Sequence, residues 1–331
     1  MNGRIDRNVP LVSIIMPVYN AEKYIYDALQ SIVKQTYNNL EIIVIDDASN
    51  DDTASIVRSI DDKRIKIVKN KVNLKQSASR NKGLMLAKGK YIANMDADDI
   101  SLPSRIERQV CFMEKNKDVD VCGTYIKLVG KRKDKIIKYP VSSIELEQMS
   151  IYATPFAHPT VMMRKSSIEK YEISYDSLFT YAQDFELWSR LALKGAKYAN
   201  IPEVLFLYRV SDGQISIKHF SEQQMFKGKI IERNVRLLTK RDIYLNTLTS
   251  KEFSVIDVKN NIDIIHNVAI EDKLKKQLIF IILNRASFIG IPLIFLFFKN
   301  FYGVLYKKTI IKLLIKILIR YNPASLKCIC Q

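Results

Sequence analysis

Cysteine is scarce in this chain of 331 residues. Its four cysteines, Cys111, Cys122, Cys328 and Cys330, are too few and too unevenly spaced for a disulfide scaffold, and the terminal C-x-C is too tight for paired zinc ligands. They therefore predict free thiols in a reducing compartment. The first ten residues are polar and lack the apolar region of a signal peptide, so we expect a cytoplasmic protein.

Acidic residues are absent from position 273 to the end, where eleven basic residues occur. The formal net charge of +17 is thus concentrated in the tail, which carries 20 Lys and Arg against 8 Asp and Glu from Lys218 onward. A basic chain could bind nucleic acid. These basic residues instead lie among aliphatic runs, without interleaved exposed aromatics, so we expect no nucleic-acid partner.

The basic tail has the spacing of an interfacial helix. Its cations recur every four residues at Lys308, Lys312, Lys316 and Arg320. Such a helix suits the lipid headgroup boundary, although packing on the rest of the protein is the alternative. Segment 278–298 is long enough to span a bilayer, but polar and helix-breaking residues interrupt it, which favours an interfacial pair of helices. We therefore predict peripheral attachment to the anionic inner face of the cell membrane.

The first hundred residues alternate short β-branched runs with stretches of helical spacing. The predicted strands are Val12–Met16, Glu41–Ile45, Arg64–Val68 and Lys90–Asn94. This rhythm predicts an α/β fold with a parallel sheet, whose ligands bind at the carboxyl ends of the strands. Further along, the pattern predicts a helix ending near Lys117, a strand over Val119–Val129 and a helix over Asp184–Leu193. From His219 onward it is wholly helical.

Acidic residues follow two of these strands and begin one helix. Asp46-Asp47 could accept hydrogen bonds from a nucleobase or ribose, or could cap the helix starting near Asp52. Asp96-Ala97-Asp98-Asp99 presents two carboxylates to one hard cation that bridges to a diphosphate, or forms a solvated turn before Pro103. Gln183-Asp184 stands at a helix N-terminus, where helix capping is the alternative to a chemical role.

Taken together and in order, five segments resemble the family 2 glycosyltransferases with the GT-A fold. They are Val12–Asn20 (VSIIMPVYN), Ser31–Thr36 (S-x-x-x-Q-T), Ile45–Asp51 (I-D-D-A-S-N-D), Ala78–Leu84 (A-x-R-N-x-G) and Met95–Asp99 (x-D-x-D-D). The resemblance extends to about Ser216. It implies a mainly parallel central sheet flanked by helices, with a helical C-terminal extension. The implied domains are 1–217, divided into a nucleotide-binding half (10–100) and an acceptor-binding half (101–217), and a membrane-associating region, 218–331.

The resemblance also implies roles for residues of the donor site. Asp47 would bind the nucleobase, in a pocket lined by Pro17 and Tyr19. Arg80 would lie near the nucleotide. Asp96 and Asp98 would form the D-x-D that holds Mg²⁺ or Mn²⁺, with Asp98 as the direct ligand and Asp96 also contacting the nucleotide.

On the acceptor side, the resemblance implies that Asp184 is the general base. Gln183 stands where the family usually has Glu, so its contact with the acceptor is open. His158 would bind the acceptor or the diphosphate, and a structural histidine is the alternative. Trp188 is a further acceptor-side residue, and Tyr208-Arg209 resembles the family's closing loop.

The implied reaction is transfer of a sugar from a nucleotide-sugar, by default a UDP-sugar, to a hydroxyl acceptor with inversion. The expected acceptor is a glycan, lipid-linked, in cell-surface polysaccharide synthesis. The Q-x-x-R-W motif of processive synthases is absent from the sequence, so one sugar per visit is expected. A nucleotidyltransferase is the alternative enzyme, but the Gly-rich phosphate loop typical of that class does not occur before Asn20.

Overall fold

The computed structural model describes residues 9–130, 135–211 and 219–240, with positions 244 and 245 and scattered positions between 260 and 279. The chain divides into two compact units, Met1–Phe220 and Ser221–Gln331. The sequence predicted a domain boundary after residue 217, three residues before the end of the first unit.

The first unit begins with four parallel strands joined by helices. The strands are β1 (Val12–Val18), β2 (Leu40–Asp46), β3 (Ile65–Lys69) and β4 (Tyr91–Asn94). The helices are α1 (Ile25–Val33), α2 (Thr53–Ser59) and α3 (Lys75–Leu86). They lie in the order β3-β2-β1-β4, and every adjacent pair is parallel. The four predicted strands and the parallel sheet are therefore confirmed.

The apolar runs of these strands are explained by cores on both faces of the sheet. All seven residues of β2 are buried. Side chains alternate along a strand, so Ile14 and Met16 of β1 pack into one hydrophobic cluster while Ile15 packs into the other. A strand that is covered on both faces buries apolar side chains along its length, so its polar residues lie mainly near the strand ends.

The rest of this unit continues the same sheet with mostly antiparallel neighbours. Its strands are β5 (Ile100–Ser101), β6 (Val121–Gly130), β7 (Ile136–Ile137), β8 (Met162–Arg164) and β9 (Tyr198–Val210). Its helices are α4 (Arg105–Lys115), α5 (Ser143–Met149), α6 (Lys165–Tyr171) and α7 (Gln183–Leu193). Beyond β4 the order is β8-β6-β9-β5, and β7 pairs with β6. Helices α5 and α6 were not predicted.

Helix α8 (Phe220–Thr239) starts at the last residue of the first unit and continues into the second, and it confirms the start of the predicted helical region. The basic stripe from Lys308 to Arg320 lies outside the described residues, as does nearly all of segment 278–298. Within the part of the chain that the structure describes, none of the helices combines the length and apolar character needed to cross a bilayer.

Gly83 of the A-x-R-N-x-G motif is required by the contact of α3 with β1. A Cβ at this position would lie 2.4 Å from Cγ2 of the buried Ile15. We expect Gly83→Ala to lower the free energy of unfolding by about 1–3 kcal/mol, because overpacking outweighs the gain in helix propensity. Urea denaturation measures this, with Met85→Ala on the exposed side of α3 as the control; equal stabilities of the two variants would contradict the packing argument.

Candidate active site

An acidic loop follows β4 at the carboxyl end of the parallel sheet. The Met95 N–H donates to the Ile15 carbonyl at 3.0 Å, which fixes where the loop begins. Arg80 of α3 is buried, and its Nη2 donates to Oδ1 of Asp96 at 2.7 Å. The Asp96 side chain keeps 28% of its surface exposed, so the carboxylate stays accessible to a ligand.

The next two acids of this loop are bound by the end of β9. The Arg209 N–H donates to Oδ1 of Asp99 at 2.8 Å, and its Nε donates to the Asp98 carbonyl at 2.7 Å. Burial, together with repulsion from Asp96, raises the pKa of Asp98 to about 6, although Arg209 opposes the rise. Burial and both neighbouring carboxylates raise the pKa of Asp99 well above its usual value. The carboxyl groups of this loop are therefore partly buried and close together, which disfavours their ionised forms.

This loop supplies only some of the ligands that a divalent cation requires. Carboxylate oxygens are the ligands that Mg²⁺ and Mn²⁺ prefer, and the crowding that raises the pKa of Asp98 would be relieved by a cation. In the residues that the structure describes, His, Cys, Asp and Glu form no group of three or more suited to hold a metal. The residues present thus fit a cation that takes its remaining ligands from water and a diphosphate.

Asp184 lies in the first turn of α7, and its charge acts on some of the same side chains as the acidic loop. The half-buried Tyr208 shows this, because burial and the three loop carboxylates raise its pKa and Asp184 adds to the effect. Tyr175, with a pKa raised to about 12 mainly by burial, is also influenced by both Asp184 and Asp96. Carboxylates 88 positions apart in the sequence therefore act on the same tyrosines.

The Asp46-Asp47 pair organises the loops beside this pocket. Asp47 is buried and accepts from Asn70 Nδ2 at 2.7 Å and from the backbone N–H groups of Leu74 and Lys75 at 2.9 and 2.8 Å. A carboxylate has about four acceptor positions, so one remains for a nucleobase.

Neither member of the pair caps α2. Asp46 accepts from the Ser49 N–H at 2.9 Å, and Asp51 accepts from the first residue of α2, Thr53, at 3.1 Å. The capping alternative for Asp46-Asp47 is therefore wrong. The base contact of Asp47 stays a prediction, as do those of Pro17, which is half-buried in β1, and of Tyr19, which is 48% exposed just beyond it.

The three predicted acceptor-side residues have different surroundings. Trp188 is fully buried and packs edge-on against Phe156, so it has no exposed surface for the acceptor contact expected of it. His158 is buried, and its Nε2 lies 3.3 Å from both Asn94 Nδ2 and the Tyr175 hydroxyl. Gln183 is nearly buried at the start of α7.

Gln183 joins helix α7 to helix α3. Its Nε2 donates to Oε1 of Gln76 on α3 at 2.9 Å. The amide therefore replaces the carboxylate usual in the family with an uncharged bridge between α3 and α7. Asp184, the next residue, remains half-buried beside it.

Sequence reasoning missed several residues of the site. Arg105 is fully buried, and its Nη2 donates to the Asn94 carbonyl at 2.8 Å directly before the acidic loop. Burial lowers its pKa to about 9. An arginine at a helix start is usually exposed, so the sequence carried no signal for it. Tyr175 was missed because the chain segment that carries it shows no regular pattern.

Comparisons with known proteins agree with this geometry. Residues 13–172 match the family model described as glycosyl transferase family 2. A glycosyltransferase of Haemophilus influenzae is 36% identical over 271 residues, covering 77% of this chain and 84% of the relative. The Escherichia coli protein WfaP, named a UDP-Glc:α-D-GlcNAc-diphosphoundecaprenol β-1,3-glucosyltransferase, is 33% identical, covering 76% of this chain and 99% of WfaP.

A solved structure supports the same fold. It is the mannosyltransferase PcManGT of Pyrobaculum calidifontis in complex with GDP-Man and Mn²⁺, with a TM-score of 0.54 and 17% identity, covering 94% of this chain and 86% of that one. The GT-A fold is confirmed. The chain belongs to the family 2 glycosyltransferases and is a glycosyltransferase enzyme, related to transferases of surface-polysaccharide synthesis. The nucleotidyltransferase alternative is thereby removed.

Proposed function

We propose that this enzyme transfers a single sugar from a UDP-sugar to a hydroxyl of a lipid-linked glycan, with inversion at the anomeric carbon and dependence on Mg²⁺ or Mn²⁺. The observation that carries the proposal is the acidic loop after β4, where Arg80 Nη2 donates to Oδ1 of Asp96 at 2.7 Å and Arg209 Nε donates to the Asp98 carbonyl at 2.7 Å. The charge of Asp184, in the first turn of α7, acts on Tyr208 together with the charges of this loop. We therefore assign the cation to the pair Asp96 and Asp98, and the base to the separate carboxylate of Asp184.

On the donor side, Asp96 and Asp98 would hold the cation, as the crowded carboxylates suggest. When bound, the ion neutralises negative charge on the departing nucleoside diphosphate. The chain itself orients the carboxylates of the loop, because Arg80 donates to the Asp96 carboxylate and Arg209 donates to the Asp98 carbonyl. Asp47, whose N–H donates to the carbonyl of Val18 between Pro17 and Tyr19 at 2.8 Å, would bind the nucleobase.

On the acceptor side, Asp184 would accept the proton of the attacking hydroxyl. A base facing the cation site across the pocket directs attack from the side opposite the leaving group, which inverts the anomeric configuration. Gln183 is a proposed contact for the acceptor. His158 would act on the site indirectly, because its Nε2 contacts the side chains of Asn94 and Tyr175.

The acceptor class is proposed from the relatives and the charge distribution. The printed name of WfaP specifies a diphosphoundecaprenol-linked sugar as acceptor, which is anchored in a membrane. A tail with eleven basic and no acidic residues suits an anionic lipid surface. We therefore propose peripheral attachment to the cytoplasmic face of the cell membrane.

Product analysis tests the proposal. The purified enzyme is incubated with Mn²⁺ or Mg²⁺, a panel of UDP-, GDP- and dTDP-sugars and a diphospholipid-linked sugar acceptor. We expect release of UDP and a product extended by one sugar, whose anomeric configuration by NMR is opposite to that of the donor. Retention of configuration, or full activity in EDTA, contradicts the mechanism.

A further inference from the structure

We infer that Tyr175 is a positioning residue of the donor site, which holds the guanidinium of Arg80 against Asp96. Tyr175 belongs to the segment that precedes α7, whereas Arg80 lies on α3. The inference rests on the proposed function in one respect, namely that Arg80 and Asp96 bind the nucleotide. One buried side chain, that of Tyr175, would then couple the segment before α7 to the donor residue on α3.

The backbone of Tyr175 is fixed to α3 by a reciprocal pair of hydrogen bonds. Asn81 Nδ2 donates to the Tyr175 carbonyl at 2.8 Å, and the Tyr175 N–H donates to Oδ1 of Asn81 at 2.7 Å. Asn81 is the residue after Arg80. Because these bonds involve main-chain atoms of Tyr175, they persist when its side chain is replaced.

The hydroxyl of Tyr175 is held by a side chain of the central sheet. Asn94, the last residue of β4, donates to it from Nδ2 at 3.1 Å, and Nε2 of His158 lies 3.3 Å away. The His158 and Tyr175 rings meet edge to face with centroids 5.5 Å apart. Burial, with the nearby Arg80 charge, lowers the pKa of His158 well below its usual value, so the imidazole is neutral and can accept from the tyrosine.

The ring of Tyr175 then orients Arg80. The guanidinium carbon lies 5.8 Å from the ring centroid, within the range of a cation–π contact. Nη2 binds Asp96, whereas Nε and Nη1 have no hydrogen-bond partner in the described part of the chain. The orientation of this buried cation therefore depends on Asp96 at one end and on the Tyr175 ring beneath it.

The test measures UDP binding in the presence of Mn²⁺ by calorimetry. Tyr175→Phe keeps the ring and loses its hydroxyl tether, so we expect Kd to rise about threefold. Tyr175→Leu removes both the ring and the hydroxyl, and we expect a rise of about tenfold or more. Circular dichroism at the assay temperature shows that each variant is folded.

A matched control separates positioning from general destabilisation. Tyr171 is also buried, and its hydroxyl contacts Oδ2 of Asp120 at 3.3 Å, away from the donor residues. Tyr171→Phe removes a buried hydroxyl in the same way, and we expect it to leave the Kd for UDP unchanged. An equal loss of affinity in Tyr171→Phe and Tyr175→Phe would overturn the inference.

A double-mutant cycle with Arg80→Met tests whether Tyr175 acts through Arg80. If it does, Tyr175→Leu weakens UDP binding by no more than about twofold in the Arg80→Met background. Additive losses, or an unchanged Kd in Tyr175→Leu, contradict the positioning role. The same double-mutant cycle can be measured on the free energy of urea unfolding, which needs no ligand. If the wild type binds no UDP, the proposed donor is wrong. If the two substitutions show no coupling in unfolding, the Tyr175–Arg80 contact is separately refuted.

Discussion

Replacing Asp184 by Asn is expected to lower kcat by about 10²- to 10⁴-fold, the range that general-base catalysis contributes. Asparagine has nearly the same shape as aspartate but cannot take the proton of the acceptor hydroxyl. Because Asp184 lies on α7 and not in the acidic loop, the Kd for UDP with Mn²⁺ should change by less than about twofold, since only the reaction step is affected. Steady-state kinetics and calorimetry measure the two quantities.

Asp176→Asn is the matched control for this change. Asp176 is eight residues earlier, and its Oδ1 accepts from the Leu178 N–H at 2.9 Å, which Asn can also do. Near-wild-type turnover is expected of it. If Asp184→Asn retained comparable turnover, another group would have to be the base. If it lost UDP binding instead, Asp184 would belong to the donor site.

Replacing Asp98 by Asn is expected to lower kcat/KM by about 10²- to 10³-fold, since the proposed direct carboxylate ligand of the cation is lost. The same change should stabilise the protein without metal. The raised pKa of Asp98 means that its ionised form is disfavoured in the folded state. A neutral side chain removes that penalty, by about 1–3 kcal/mol at pH 7.5.

The pH window of this stabilisation follows from the direction of the shift. Between the ordinary pKa of 3.8 and about 6, the folded state binds more protons than the unfolded state, so the stability of the wild type falls as the pH rises. The advantage of Asp98→Asn should be absent near pH 3.5 and complete above about pH 7. Urea unfolding in EDTA at several pH values measures it.

The exposed Asp61 provides the control, and Asp61→Asn should change the unfolding free energy by less than about 0.5 kcal/mol. Added Mn²⁺ and UDP should stabilise the wild type but not Asp98→Asn. A variant less stable than the wild type in EDTA at pH 7.5 would show that the Asp98 carboxylate is favourably bound without a cation. The cation-site assignment would then lose its main physical support.

The nucleotide-binding half was predictable because its signals are local. Continuous, β-branched apolar runs such as Ile42–Ile45 are typical of strands buried on both faces, and acidic residues directly after such strands lie at the ligand-binding edge. The position of Asp96 and Asp98 follows from β4 alone. By contrast, the helices α5 and α6 and the antiparallel strand β8 were missed, because they lie in a middle section where turn-forming residues interrupt the apolar pattern.

Predicted side-chain roles depended on what surrounds each residue, which sequence does not specify. Trp188 follows Asp184 by four positions on α7, yet its ring is turned into the core against Phe156. Arg105 is expected on a surface and is fully buried under the acidic loop. Burial of one face of a helix is decided by the elements that pack on it.

The amino-acid sequence by itself determined the class of this protein: an α/β glycosyltransferase of family 2 with carboxylates after its second and fourth strands. Tertiary structure alone decided that Asp184 acts on the same tyrosine as the carboxylates after the fourth strand, that Asp47 binds the turn at Leu74 and Lys75, and that the Tyr175 ring lies against Arg80. The physical reason is the range of the interactions. Hydrophobic periodicity acts between near neighbours in the chain, whereas charges and buried hydrogen bonds join residues that only the packing of the sheet brings together.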